Sequence, residues 1–196
     1  LERKGAKTAL ITTAGFRDVL ELRRIRIPMS YDLGWEKPAP LVEREWRIEV
    51  AERLDARGNV LVPLDAAAIE AAARPLVGAG IDAVAVCFLH SYRDPGHEKL
   101  AGAVLRRMLP NAYVSLSHEV LPEMLEYERT STTVVNAYVG PLIGRYLARL
   151  RQRFNEQGIT APLLVMQSNG GLVSAGTAAS RPVTIIESGP AAGVVA

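Results

Sequence analysis

The chain has 196 residues, 48% hydrophobic and 22% charged, with a formal net charge of +2. That length buries a real core in one domain, or in one domain plus part of another. The small charge argues against a nucleic-acid partner, and the basic groups at Arg23, Arg24 and Arg26 and at Arg149, Arg151 and Arg153 suit solvated helix edges. A single cysteine excludes a disulfide framework or thiol-rich metal site, and no apolar run approaches the roughly 20 residues of a membrane span. No secretory leader is visible, which makes a cytoplasmic location the default expectation.

In chain order, Thr8 to Thr12 is a β-prone apolar run, and Thr13 is expected to cap a helix over Ala14 to Leu22. Pro28, Pro38 and Pro40, with Tyr31, Asp32 and Trp35 among them, mark a loop or extended arm. Trp46 to Val50 alternates apolar and polar, and Arg57-Gly58-Asn59 is expected to turn that strand back along Val60 to Val62 as a hairpin. Asp65 suits the N-cap of an alanine-rich helix reaching about Val77, closed by Gly78 and Gly80. A buried strand, Ala83 to Leu89, follows and carries Cys87 as a core thiol. Asp94-Pro95 opens a helix with proline at its first position and Leu100, Val104, Leu105 and Met108 on one stripe. Val114 to Ser117 is the next strand.

This alternation predicts an α/β fold with a partly parallel sheet. From Glu123 to about Gln157 the pattern is helical, with Ile143, Leu147, Leu150 and Phe154 on a packed face and a break or kink expected at Gly140-Pro141. Leu163 to Met166 is expected to return to the sheet and break at an Asn169-Gly170-Gly171 turn. Val183 to Ile186 reads as a short β run opening through Ser188-Gly189-Pro190 into a small-residue helix. The chain begins at Leu1 without a Met and stops at Val194-Val195-Ala196 in what reads as an uncapped helix, so a piece of a longer protein is expected.

Three groups of residues suggest chemistry. Glycines in the Gln167–Gly171 turn and the Ser188–Gly193 segment let backbone approach a ligand closely, and the free N–H groups of a helix start favour anions; a tight turn and a close-packed helix explain the same pattern. Three histidines, His90, His97 and His118, with Glu98 and Glu119 beside two of them, suggest metal ligands, and His90 and His97, at a strand end and a helix start, are positioned to approach each other; a polar surface role for His97 is the alternative, and no HxxxH or HExxH pair is present. Glu126 to Asn136 is the densest polar cluster. There Glu128, Ser131 or Thr132, and Asn136 are candidates to line a cleft, while Glu126 and Arg129 pair at the surface; a capped helix with a polar face is the other reading.

The motifs in order resemble the hydantoinase/oxoprolinase family: Thr12-Thr13-Ala14-Gly15-Phe16-Arg17-Asp18-Val19-Leu20, Val86 to Tyr92, Glu126 to Tyr138, Met166 to Gly171, and Ser188-Gly189-Pro190-Ala191-Ala192-Gly193. The chain is similar to the A-type subunit of N-methylhydantoinase, with 5-oxoprolinase and the acetone carboxylase β subunit as relatives. The resemblance implies part of an actin-like (ribonuclease-H-like) ATPase fold with a mixed sheet, incomplete at both ends. It assigns residues 1–122 to the C-terminal part of the family's N-terminal domain and 123–196 to the start of its second domain.

It also implies ATP and Mg²⁺ as cofactors, a small cyclic amide as substrate, a B-type partner subunit, and activation of the ring carbonyl by phosphorylation before hydrolysis. The site residues it suggests are Gly170, Gly171, Ser188, Gly189 and Gly193 for the wall of the nucleotide or substrate cleft, then Glu128, Arg129, Thr132 and Asn136 as polar groups facing the space between lobes. The family carries an Asp-Gly-Gly-Thr phosphate motif near its start and a similar one after the Ser-Gly-Pro-Ala-Ala-Gly segment. Neither occurs within the 196 residues, so this stretch by itself is expected not to hydrolyse ATP. A non-catalytic scaffold or partner-binding role, or an acetone-carboxylase-like role, is the alternative.

Overall fold

A computed structural model describes residues 3–24 and 31–195; Arg26 and Pro28 lie outside them. The centre is strand β1 (Thr8–Thr13), buried at every position. It pairs in parallel with β2 (Arg47–Val50) on one side, Leu10 opposite Arg47, and with β5 (Ala83–Cys87) on the other, Thr8 opposite Ala83. Strand β6 (Tyr113–Leu116) lies beyond β5, also parallel, giving the order β2-β1-β5-β6. A parallel strand covered on both faces needs side chains apolar on both, which is why β1 and β5 read as continuous runs.

One face of this sheet is covered by α2 (Ala66–Ala73) and α3 (Gly96–Met108), whose Ile69, Ala73, Ala101, Val104 and Leu105 pack with Ile11, Val84 and Val86. The opposite face is covered by α1 (Val19–Leu22) and, after the single turn α4 (Ser117–Val120), by α5 (Glu126–Glu156); Leu20 of α1 and Val134 and Ala137 of α5 pack with Leu10, Ala85 and Cys87. Asp65 caps α2 as expected, its carboxylate accepting the Ala68 N–H at 2.7 Å. Helix α3 starts at Gly96, so Pro95 sits at its cap and not at its first position.

Several local expectations fail for identifiable reasons. Thr13 does not cap a helix: its hydroxyl donates to the Glu52 carboxylate and accepts the Leu89 N–H at 3.0 Å. The segment after it turns at Gly15 (φ +87), and only the single helical turn α1 remains of the longer helix. Strand β2 joins the parallel sheet, and the hairpin is made by its successors, β3 (Arg53–Leu54) and β4 (Val60–Val62). Helix α5 runs unbroken through Pro141. Proline removes one backbone donor and disfavours helical geometry in the residue before it through that residue's Cβ; here the residue before it is Gly140, which has none.

After α5, β7 (Leu164–Met166) does not rejoin the main sheet but pairs antiparallel with β8 (Leu172–Ser174). Helix α6 (Ala175–Ser180) follows, capped by the Ser174 hydroxyl, which accepts the Thr177 N–H at 3.1 Å. Residues Pro182–Ile185 form a 3-10 turn where a strand was expected. Their β propensity is overridden because the Val183 N–H is taken by the Asn136 amide oxygen at 3.1 Å and the Thr184 carbonyl accepts the Ser168 N–H at 2.8 Å. The last helix is α7 (Ser188–Val195). No helix among the described residues is long and apolar enough to cross a membrane.

Candidate functional site

The Asn-Gly-Gly turn links β7 to β8. Gln167 N–H donates to the Gly171 carbonyl at 2.7 Å, Gly170 N–H to the Gln167 carbonyl at 3.0 Å, and Gly171 N–H to the Asn169 side-chain oxygen at 2.9 Å. Gly170 has φ +84, a conformation glycine adopts without strain. Ser168 ties this turn to the start of α7, donating to Thr184 and accepting the Glu187 N–H at 3.3 Å.

Between the two segments lies an open cleft of about 430 Å³, lined by Ser168, Asn169, Gly170, Glu187, Pro190, Ala191 and Val194. Of the expected glycine-site residues, Gly170 lines it. Gly171, Ser188, Gly189 and Gly193 flank it in the same turn and helix. The lining holds one carboxylate, Glu187, beside an apolar patch and no lysine or arginine, so these residues offer a phosphate group no cationic partner.

The polar cluster on α5 is arranged differently from the sequence expectation. Arg129 does not pair with Glu126 at the surface. It is 1% exposed, donates to the Phe88 carbonyl at 2.8 Å and stands 5.4 Å from the Tyr92 ring. Asn136 is also buried, donating to Ser115 Oγ at 3.0 Å and accepting from Val183. Thr130 donates to Cys87 Sγ at 3.2 Å. The face of α5 carrying Arg129, Thr130, Thr133 and Asn136 is therefore a polar seam against β5 and β6. Glu128 and Thr132 remain at the partly open edge, with Glu128 paired to Arg24, which holds its carboxyl below the usual range.

The histidines do not assemble a metal site. His97 Nδ1 contacts Glu52 Oε2 at 2.7 Å, and His90, in a left-handed conformation (φ +57), faces the Tyr92 hydroxyl at 3.4 Å. Among the described residues no three His, Cys, Asp or Glu side chains gather as metal ligands. The structure shows instead two buried carboxylates at the carboxyl edge of the sheet, each bonded to one imidazole. Glu98 accepts from Phe88 N–H, Ser117 Oγ, His118 N–H and His118 Nδ1, at 2.6–3.0 Å. Glu52 accepts from Thr13 and His97. Glu98 stands beside His97 in the sequence, but its imidazole partner is His118, 20 positions on; Glu52 carries no sequence signal, because its partners Thr13 and His97 lie 39 and 45 positions away.

Polar side chains gathered at the carboxyl ends of parallel strands are the usual placement for ligand chemistry in α/β proteins. Within that class the chain belongs to the hydantoinase/oxoprolinase family: residues 1–109 match the Hydantoinase/oxoprolinase N-terminal region and residues 129–196 match Hydantoinase/oxoprolinase. It is 41% identical over 193 residues to caprolactamase subunit alpha of Pseudomonas jessenii, covering 97% of this chain and 28% of that protein. The crystal structure of ATP-dependent caprolactamase from that organism superposes with a TM-score of 0.89 over 97% of this chain and 28% of its own.

5-Oxoprolinase 1 of Arabidopsis thaliana is 33% identical over all of this chain and 16% of itself. A nucleotide-free acetone carboxylase structure matches with a TM-score of 0.87 and 28% identity, covering 99% of this chain and 29% of that one. The chain thus spans less than a third of the length of these relatives.

Proposed function

We propose that this chain is part of an ATP-dependent enzyme that opens cyclic amides. The observation that carries the reading is the 41% identity to a caprolactamase subunit, joined to a TM-score of 0.89 with ATP-dependent caprolactamase. An amide carbonyl is a poor electrophile; transferring the γ-phosphoryl group of ATP to its oxygen creates a leaving group and opens the ring to water. Magnesium would neutralise the phosphates, and an actin-like, two-lobed arrangement would hold them. On this reading residues 1–122 close the first domain and 123–196 open the second, near the start of α5.

Gly170, with Gly171, Ser188, Gly189 and Gly193 around it, would form a wall against the nucleoside, and the missing cations would come from elsewhere in the protein. Glu128 and Thr132 would face the space between the lobes, with Arg129 and Asn136 held in the seam beneath them. The subunit designation of the caprolactamase relative supports a partner subunit, of the B type in this proposal. Carboxylation of a ketone, the activity of the acetone carboxylase neighbour, is less well supported at 28% identity.

The test is ADP release by the full-length protein with its partner, in the presence of caprolactam, 5-oxoproline or hydantoin. Lactam-dependent ADP with one amino acid formed per ADP is expected. Ring opening without ATP, or ADP release indifferent to every lactam, would refute the proposal. ATP–magnesium titration of the 196-residue chain alone is expected to show weak binding or none.

A further inference from the structure

Strands β1 and β5 are adjacent and parallel, yet the chain leaves them toward opposite faces: from β1 to α1 on the α5 face, from β5 to α3 on the α2 face. Diverging loops open a crevice at the carboxyl ends of such a pair, the place where ligands enter open α/β sheets. The last residue of β1, Thr13, sits there, with Glu52 after β2, Leu89 after β5, and His97 in the first turn of α3.

These residues form one relay. Leu89 N–H donates to Thr13 Oγ1, Thr13 donates to Glu52 Oε1, and Glu52 Oε2 accepts from His97 Nδ1 at 2.7 Å. The Glu52 side chain is fully buried and that of His97 is 12% exposed. Because a carboxylate oxygen only accepts, the proton of the neutral imidazole lies on Nδ1, and Nε2 presents its lone pair. Nε2 makes no hydrogen bond to a described residue and is not sealed in the core. His118 differs: its carboxylate partner is saturated by four donors, and its Nε2 stands 3.9 Å from Glu119. That pair fastens the helical turn after β6 to α3, whereas the His97 pair leaves an unbonded ring nitrogen on a partly exposed side chain at the carboxyl edge of the sheet.

We propose that His97 Nε2 accepts the ring N–H proton of the cyclic amide as its carbonyl oxygen is phosphorylated, with Glu52 and Thr13 as positioning residues; this rests on the amide-opening reading above. The N–H bonding pair becomes the C=N π bond, and the carbonyl π pair forms the oxygen–phosphorus bond. The bond from the γ-phosphorus to ADP breaks with its electrons on ADP, and the proton ends on Nε2.

Two measurements test this. In the full-length protein with its partner, His97→Asn keeps a donor where Nδ1 stood but has no basic nitrogen; His97→Gln puts a non-basic polar atom near Nε2. Both are expected to lower kcat for lactam-dependent ADP release by about 10²–10⁴-fold with KM for ATP unchanged. In the same protein, imidazole ¹⁵N spectra are expected to show His97 as the Nδ1–H tautomer, and Glu52→Gln, whose amide can donate to Nδ1, is expected to move the proton to Nε2.

If the wild type releases ADP with a lactam and both variants keep kcat within twofold, the proton-acceptor role is overturned and the functional reading stands. If the wild type shows no lactam-dependent ADP, the functional reading fails and with it the substrate named here. An Nε2–H tautomer in the wild type overturns the relay whichever activity is found.

Discussion

Replacing Gly140 by alanine tests how α5 is seated on the sheet. A Cβ at this position would lie 2.6, 2.7 and 2.8 Å from three atoms of the Tyr113 ring, where ordinary carbon contacts need about 3.5–4.0 Å. The ring cannot simply swing away, because its hydroxyl donates to the Ser180 carbonyl at 2.6 Å and accepts from Asn136 at 3.4 Å. Overpacking of this kind costs about 1–3 kcal/mol, and loss of the Tyr113 hydrogen bond about 1 kcal/mol more. Against this, alanine gains about 1 kcal/mol of helix propensity over glycine.

The net expectation is destabilisation by about 2 kcal/mol, to which the clash of a new Cβ with Pro141 adds. Urea unfolding should show a lower midpoint with an unchanged slope. The same substitution made in a Tyr113→Ala background should cost clearly less, since the ring that resists it is gone. A Gly140→Ala protein as stable as the wild type, or equal costs in both backgrounds, would refute the ring-contact explanation.

Two other expectations follow from buried groups. Burial pushes the Tyr113 phenol up to about 12 from its ordinary value of 10; because the folded value lies above the unfolded one, its stabilising contribution is complete below pH 10 and is lost as pH rises toward 12. Phenolate absorbance should show one tyrosine titrating late, and Tyr113→Phe should remove that component; its persistence in the variant would assign the shift elsewhere. Cys87 is 3% exposed and burial raises its thiol, so it should react with a thiol reagent only after denaturation, and rapid stoichiometric labelling of the native chain would contradict its placement in the core.

The fold was legible where one element decides its own environment. Both faces of β1 and β5 are covered, so their apolar runs announced strands, that of β5 a buried one, and Asp65 announced a cap that needs only the three residues after it. It was illegible where a residue answers to a distant one. Thr13 has the chemistry of an N-cap, but Glu52 and Leu89, 39 and 76 positions away, take its hydroxyl. Val183 to Ile186 has strand propensity, but Asn136, 47 positions from Val183, holds the first amide. The Pro141 kink was anticipated from proline's missing donor; the glycine before it, read as a second breaker, is what lets the helix continue.

The same distinction explains the candidate sites. The Asn-Gly-Gly turn and the Ser-Gly-Pro helix start are local features, and the structure brings both to one cleft. Threonines lower helix propensity, so Thr130 and Thr133, both buried on α5, answer to a constraint beyond local stability. That constraint is the seam with β5 and β6: Thr130 reaches Cys87 and Asn136 reaches Ser115, both buried, so their hydroxyl and amide replace water for groups that the sheet would otherwise strand. Helix α5 therefore has two jobs set by one face. It covers the sheet that carries the carboxyl-edge relay, and through Asn136 and Tyr113 it fastens the residues leading to the glycine cleft. A substitution in that seam should disturb the two regions together, whereas a substitution in the cleft lining should leave the relay as it is.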